Sequence, residues 1–201
     1  MNTFGHAGLT LAAVYAVEKG ASWWMRRRAA GEEGAGSAGQ EGVDGRAAGR
    51  WFPADYRLVM LGSVLPDLID KPLGFSFASE LVNGAVRSVG HTLLFAAAVV
   101  LTGLAVRLRS RRTALLLLAF ASAGHLVLDR MWEMKDTVLW PFMGLEFPRG
   151  TTTLQEWILF HSRFWDAALP ELAGFAVICF AAARVILTGR AGRFISRGEV
   201  P

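Results

Sequence analysis

A single cysteine, Cys179, excludes an intramolecular disulfide, and its place in an apolar run suits a small buried hydrophobe. Charge is also scarce: 19% of the 201 residues are charged while 53% are hydrophobic, with a mean hydropathy of +0.35. That balance is too apolar for an ordinary soluble domain. The N-terminus lacks the basic stretch and small-residue cleavage site of a signal peptide, so the first apolar segment is expected to be retained. The net charge of +4 is modest. Its arginines flank oily segments, so the basic excess points to membrane topology and not to nucleic acid.

The apolar residues are gathered into blocks. A bilayer core of about 30 Å needs about 20 helical residues, and several blocks approach that length. The pattern predicts an all-α integral membrane bundle of about five helices, with residues 1–201 forming one membrane domain. The helices are expected from about Phe4 to Trp24, from Tyr56 through "YRLVMLGSVLPDLID", from Ser88 to Val106, from Thr113 to about Trp132, and from Ala167 to Leu187. The second is short for a full span. Residues 25–55, which include "AAGEEGAGSAGQEGVDGRAAGR", lack an apolar period and read as a flexible cytoplasmic loop. Residues 131–166 carry Trp132, Trp140, Trp157 and Trp165 and read as an extracytoplasmic loop region folded over the membrane surface.

Lysine and arginine set the orientation. Arg26, Arg27 and Arg28 follow the first helix, Arg107, Arg109, Arg111 and Arg112 separate the third and fourth, and Arg184, Arg190, Arg193 and Arg197 end the chain. Arg46, Arg50 and Arg57 fall on that same side. The other side has only Lys71, Arg87, Arg130, Lys135, Arg149 and Arg163. The Arg-rich side belongs in the cytoplasm, which puts the N-terminus outside and the C-terminus inside.

On that topology the polar residues within or beside the helices collect at one face. His6 begins the first helix. Asp67 and Asp70, in "LPDLID", close the second. His91 opens the third, and His125 and Asp129, in "GHLVLDR", close the fourth. The last two are spaced i, i+4 and share a helix face. Taken singly, each has a bland reading: a packed histidine, a turn aspartate after Pro66, a hydrogen-bonded His–Asp pair. Together they place three of the four histidines beside three aspartates at one membrane face, where ionisable groups are costly and mark sites. Imidazole and carboxylate ligands suit zinc, and also manganese or iron. A metal there would provide an activated water and polarise a phosphoryl or carbonyl oxygen. Proton transfer would fall to Asp70 or Asp67. Arg130, beside Asp129, is a candidate for a substrate phosphate, and His161 for a further ligand from the loop.

These residues give the chain its resemblance to a known family. In order, His6, "PDLID", "RSVGHT", "GHLVLD" and Trp140–Pro141 follow the pattern of the YdjM-like membrane-bound, metal-dependent hydrolases over about residues 1–142. The third motif departs from that pattern, keeping only Arg87 and His91. The family is in turn similar, more distantly, to zinc-dependent phospholipase C. That analogy implies Asp67, His91, His125 and Asp129 around one metal, and His6 with a bridging Asp129 at another. A membrane-bound metal-dependent hydrolase acting on a phosphoester or lipid is therefore expected, with the bilayer as its setting. The alternative is a non-catalytic membrane protein whose metal site, or interfacial His/Asp cluster, serves a partner. A transporter or proton relay fits poorly, since neither "TLLFAAAVVLTGLAV" nor "TALLLLAFASAG" contains an ionisable residue.

Overall fold

Apolar runs with few breakers form long helices here, as their composition requires. The computed structural model describes residues 3–33, 54–76, 79–150, 155 and 165–201. Among them are seven α-helices and no strands: α1 (Thr3–Glu33), α2 (Tyr56–Phe75), α3 (Leu93–Ser110), α4 (Ala114–Leu128), α5 (Lys135–Val138), α6 (Trp165–Leu187) and α7 (Ala191–Arg197). Short 3-10 turns lie at Ser79–Val82, Val89–His91 and Met131–Glu133. Leu93–Ser110 and Ala168–Leu187 are long and apolar enough to cross a membrane, and Ala114–Leu128 is apolar but shorter. His161 lies outside the described residues, as do residues 34–53 of the loop expected over 25–55.

Several helix boundaries differ from expectation: α2 runs past Asp70 to Phe75 and α3 past Val106 to Ser110, and three other ends shift for local reasons. α1 runs to Glu33, so the first residues of the expected loop are helical. Arginine, alanine and glutamate are good helix formers without an apolar stripe, and the guanidinium groups of Arg27 and Arg28 lie over the rings of Trp23 and Trp24. α3 begins at Leu93 and not at Ser88, because Thr92 caps it with Oγ1 accepting from Phe95 N at 3.0 Å. α4 stops at Leu128 and not near Trp132, since Arg130 takes a left-handed conformation at φ 54°.

Glycines let the helices approach closely. α1 packs on α6 where Gly8 meets Gly174, so near that a Cβ on either would strike the backbone of the other helix. One turn earlier in α6, Glu171 accepts from Phe4 N (3.2 Å) and Gly5 N (3.1 Å), satisfying two N–H groups at the start of α1. α2 sits between α1 and α4, and α3 covers α4.

At the other end of the bundle, Leu11, Ala54 and Tyr56 form a buried cluster with Tyr15, Met60, Val177 and Phe194 packed against it. The Tyr56 hydroxyl donates to Glu18 Oε2 at 2.6 Å, which accounts for an acid inside α1. Asp55 caps α2, accepting from Arg57 N and Nε, and the adjacent guanidinium holds its carboxyl below the usual range. Tyr56 N donates to Gly198 O at 3.0 Å, tying the C-terminal segment to the start of α2. Asp55→Ala is expected to destabilise the protein by about 1 kcal/mol, the ordinary worth of an N-cap. A detergent-solubilised melt unchanged from wild type would show that the cap contributes nothing.

Candidate metal centre

Six side chains come together from four parts of the chain. α1 supplies His6, α2 supplies Asp67 and Asp70, the Val89–His91 turn supplies His91, and the end of α4 supplies His125 and Asp129. His6, Asp70, His91 and His125 are fully buried, and the Asp67 and Asp129 side chains are 7% and 1% exposed. All six candidates therefore share one buried region.

The histidines are fixed by what their Nδ1 atoms touch. His91 Nδ1 lies 2.7 Å from Asp70 Oδ2, and His125 Nδ1 lies 2.6 Å from the carbonyl oxygen of Ser63. Neither acceptor carries a hydrogen, so each neutral imidazole donates through Nδ1 and keeps a lone pair on Nε2. Those two Nε2 atoms stand 3.1 Å apart. Lone pairs so close repel unless a cation or a proton lies between them. Asp67 Oδ1 is 3.7 Å from both Nε2 atoms, and Asp129 Oδ2 is 3.6 Å from that of His91 and 3.9 Å from that of His125. Donors around a tetrahedral zinc with bonds of about 2.0–2.1 Å are roughly 3.3 Å apart. Asp67, His91, His125 and Asp129 each offer one ligand atom, all within 4.8 Å of one another. This group could hold a metal ion, and its nitrogen and oxygen donors suit zinc, manganese or iron.

Asp70 has a different place from the proton-transfer role expected of it. Its Oδ1 accepts from Gly90 N at 2.8 Å, and its Oδ2 accepts from Ser88 N at 2.6 Å, His91 N at 3.2 Å and the His91 ring. The turn before α3 wraps onto α2 closely enough that a Cβ at Gly90 would come 2.8 Å from Pro66 O. Asp70 thus orients His91. His6 lies beside the group of four: its ring stacks on His125 at 3.8 Å, and its Nε2 is 3.0 Å from Asp129 Oδ1. The Nδ1 of His6 has no hydrogen-bond partner among the described residues.

Two cations sit against the carboxylates of this group. Lys71 Nζ is 2.6 Å from Asp67 Oδ2, and Arg87 Nε is 2.8 Å from Asp129 Oδ2. The i, i+4 spacing of Asp67 and Lys71 makes the first pair readable on a helix. Arg87 reaches its partner across 42 positions, and no local pattern announces it. Arg130 instead points to Glu133, with its side chain 67% exposed. Trp140 holds the surface turn, donating from Nε1 to Leu145 O at 3.0 Å and stacking on Phe147.

The order of these residues along the chain can be set against known proteins. A model of the YdjM inner membrane protein family matches residues 1–192. The chain belongs to the YdjM family. The match takes in every element that builds the site, from His6 in α1 to Asp129 after α4, and continues through α6. No curated protein and no solved structure matches the chain. YdjM proteins are described as inner membrane proteins, and the two long apolar helices, α3 and α6, fit that setting.

Proposed function

We propose that this YdjM protein is a membrane-bound, metal-dependent hydrolase whose His/Asp centre opens to the extracytoplasmic face. The supporting observation is the 3.1 Å approach of the Nε2 atoms of His91 and His125, with an acceptor at each Nδ1 and Asp67 and Asp129 beside them. Asp67, His91, His125 and Asp129 would hold one divalent ion, zinc by preference and manganese or iron by chemistry. His6, against the outer oxygen of Asp129, would complete or extend that centre. The distribution of arginines supports an N-terminus outside and a C-terminus inside. The bundle would then sit in the cytoplasmic membrane.

Such an ion supplies Lewis acidity, activating water as a nucleophile and polarising a phosphoryl or carbonyl oxygen. The chain's own residues do the rest. Asp70 fixes the tautomer and ring plane of His91, and the Ser63 carbonyl does so for His125. Asp70 is fully engaged with the His91 turn, so the proton from water would fall to Asp67, which faces the imidazoles through Oδ1 and would receive it at Oδ2. Its Oδ2 is held by Lys71, which fixes the carboxylate plane. A phosphoester, borne by a lipid or by a soluble molecule, is the substrate this reading favours.

Elemental analysis of the detergent-purified chain tests the reading. One or two equivalents of zinc or manganese are expected, with loss of that metal in both His125→Ala and Asp129→Ala. Well-folded protein that stays metal-free after supplementation would sink the hydrolase. Stoichiometric metal in a fully closed shell with no open position would favour a structural site instead.

A further inference from the structure

Sequence motifs single out Arg87, but the metal centre does not consume it. Its Nε donates to Asp129 Oδ2 at 2.8 Å, so one edge of the guanidinium is anchored on a carboxylate at the centre. Its two terminal nitrogens have no hydrogen-bond partner among the described residues, and its side chain is 33% exposed beside an Asp129 that is 1% exposed. Arg87 is thus held at the boundary between the buried centre and the outside, with the other edge of its planar fork unspent among the described residues. That edge matches two oxygens of a phosphate in a bidentate contact.

The charge balance points the same way. Asp67, Asp70 and Asp129 carry three negative charges, against two positive charges on Lys71 and Arg87. With neutral imidazoles the centre has one net negative charge, and a divalent ion makes it one net positive charge. A loaded centre therefore attracts an anion, and Arg87 stands at its edge.

We propose that Arg87 is an anion-recognition residue, binding a phosphate group of the substrate through its terminal nitrogens while Nε stays on Asp129. This rests on the metal-dependent reading and gives it a substrate class: molecules that present a phosphate next to the scissile bond. It also reassigns phosphate recognition from Arg130, which pairs with Glu133 at the surface.

The test uses the whole 201-residue chain, supplemented with zinc, in two arms. The first arm titrates inorganic phosphate against protein in detergent by calorimetry. The second arm measures binding to protein in phosphatidylcholine nanodiscs containing phosphatidic acid, over discs of phosphatidylcholine alone. Arg87→Gln is expected to weaken binding at least about tenfold in whichever arm shows it, the worth of a lost charge-assisted pair. Arg87→Lys keeps the charge without the fork and should recover only part of the loss. Arg130→Gln should bind as wild type. Binding in the first arm identifies a soluble phosphate, and binding confined to the second identifies a lipid headgroup. Unchanged affinity in Arg87→Gln overturns the proposal, and so does the absence of binding in both arms. Zinc content is measured on every sample. If the wild type carries no zinc, the metal reading fails; if zinc is retained but phosphate binding ignores Arg87, only the present inference fails.

Discussion

Asp70→Asn is expected to lower zinc affinity about 10- to 100-fold, although Asp70 is not in the group of four. The carboxylate accepts four hydrogen bonds, three from backbone N–H groups and one from the His91 ring. An asparagine keeps the shape but has one oxygen. If that oxygen stays on Gly90 N, the amide NH2 faces Ser88 N, His91 N and His91 Nδ1, all of them donors. The His91 ring then relieves the clash by moving its proton to Nε2 and accepting at Nδ1. A protonated Nε2 no longer offers a lone pair toward His125. Tautomer control, more than charge, is therefore what the substitution removes. Competition against a chromogenic zinc chelator reads the affinity, with exposed Asp136→Asn as the control. Wild-type affinity in Asp70→Asn would show that Asp70 does not set the His91 tautomer.

How much of this centre was readable from sequence depends on how far each contact reaches. His125 and Asp129 share a helix face by their spacing, and α4 does place both at the centre. That His6, Asp67 and His91 join them follows from a topology drawn with lysine and arginine alone. The part played by Asp70 was not readable, because it depends on an irregular turn folding back on α2. A helix starting at Ser88 would leave its first N–H groups without partners in the helix, but nothing in the sequence says that a carboxylate of α2 meets them. Here three N–H groups of the turn bond a carboxylate some 20 positions earlier, and helix formation waits for Thr92. Arg87 is legible only as a motif residue for the same reason: its pairing with Asp129 is set by the turn and not by any period. At the end of α1 the sequence misleads in the opposite sense. The apolar stripe stops at Trp24, but helix propensity and Arg–Trp contacts carry the helix on to Glu33.

Gly174→Leu is expected to cost about 3 kcal/mol or more, at the upper end of overpacking effects. Most oversized side chains are absorbed by rotamer changes around them. Here the first atom added, Cβ itself, would meet Phe4 O and Gly5 Cα, which are backbone atoms of a helix that cannot step aside. Accommodating it means separating α1 from α6, and that strains the Glu171 bonds to Phe4 N and Gly5 N. For a chain of this size such a loss corresponds to a fall in melting temperature of roughly 6–12 °C. Gly20→Leu is the matched control, since a Cβ there meets nothing within 4 Å. Thermal melts of both variants in the same detergent decide the matter, and a Gly174→Leu melt equal to that of Gly20→Leu would mean α1 and α6 do not meet there. The consequence extends to the centre. His6 lies between Gly5 and Gly8 on the same turns of α1, stacked on His125 and 3.0 Å from Asp129. The glycine contact therefore helps to set how deeply His6 reaches toward the candidate metal-binding group, and a shift of α1 withdraws it from His125 and Asp129.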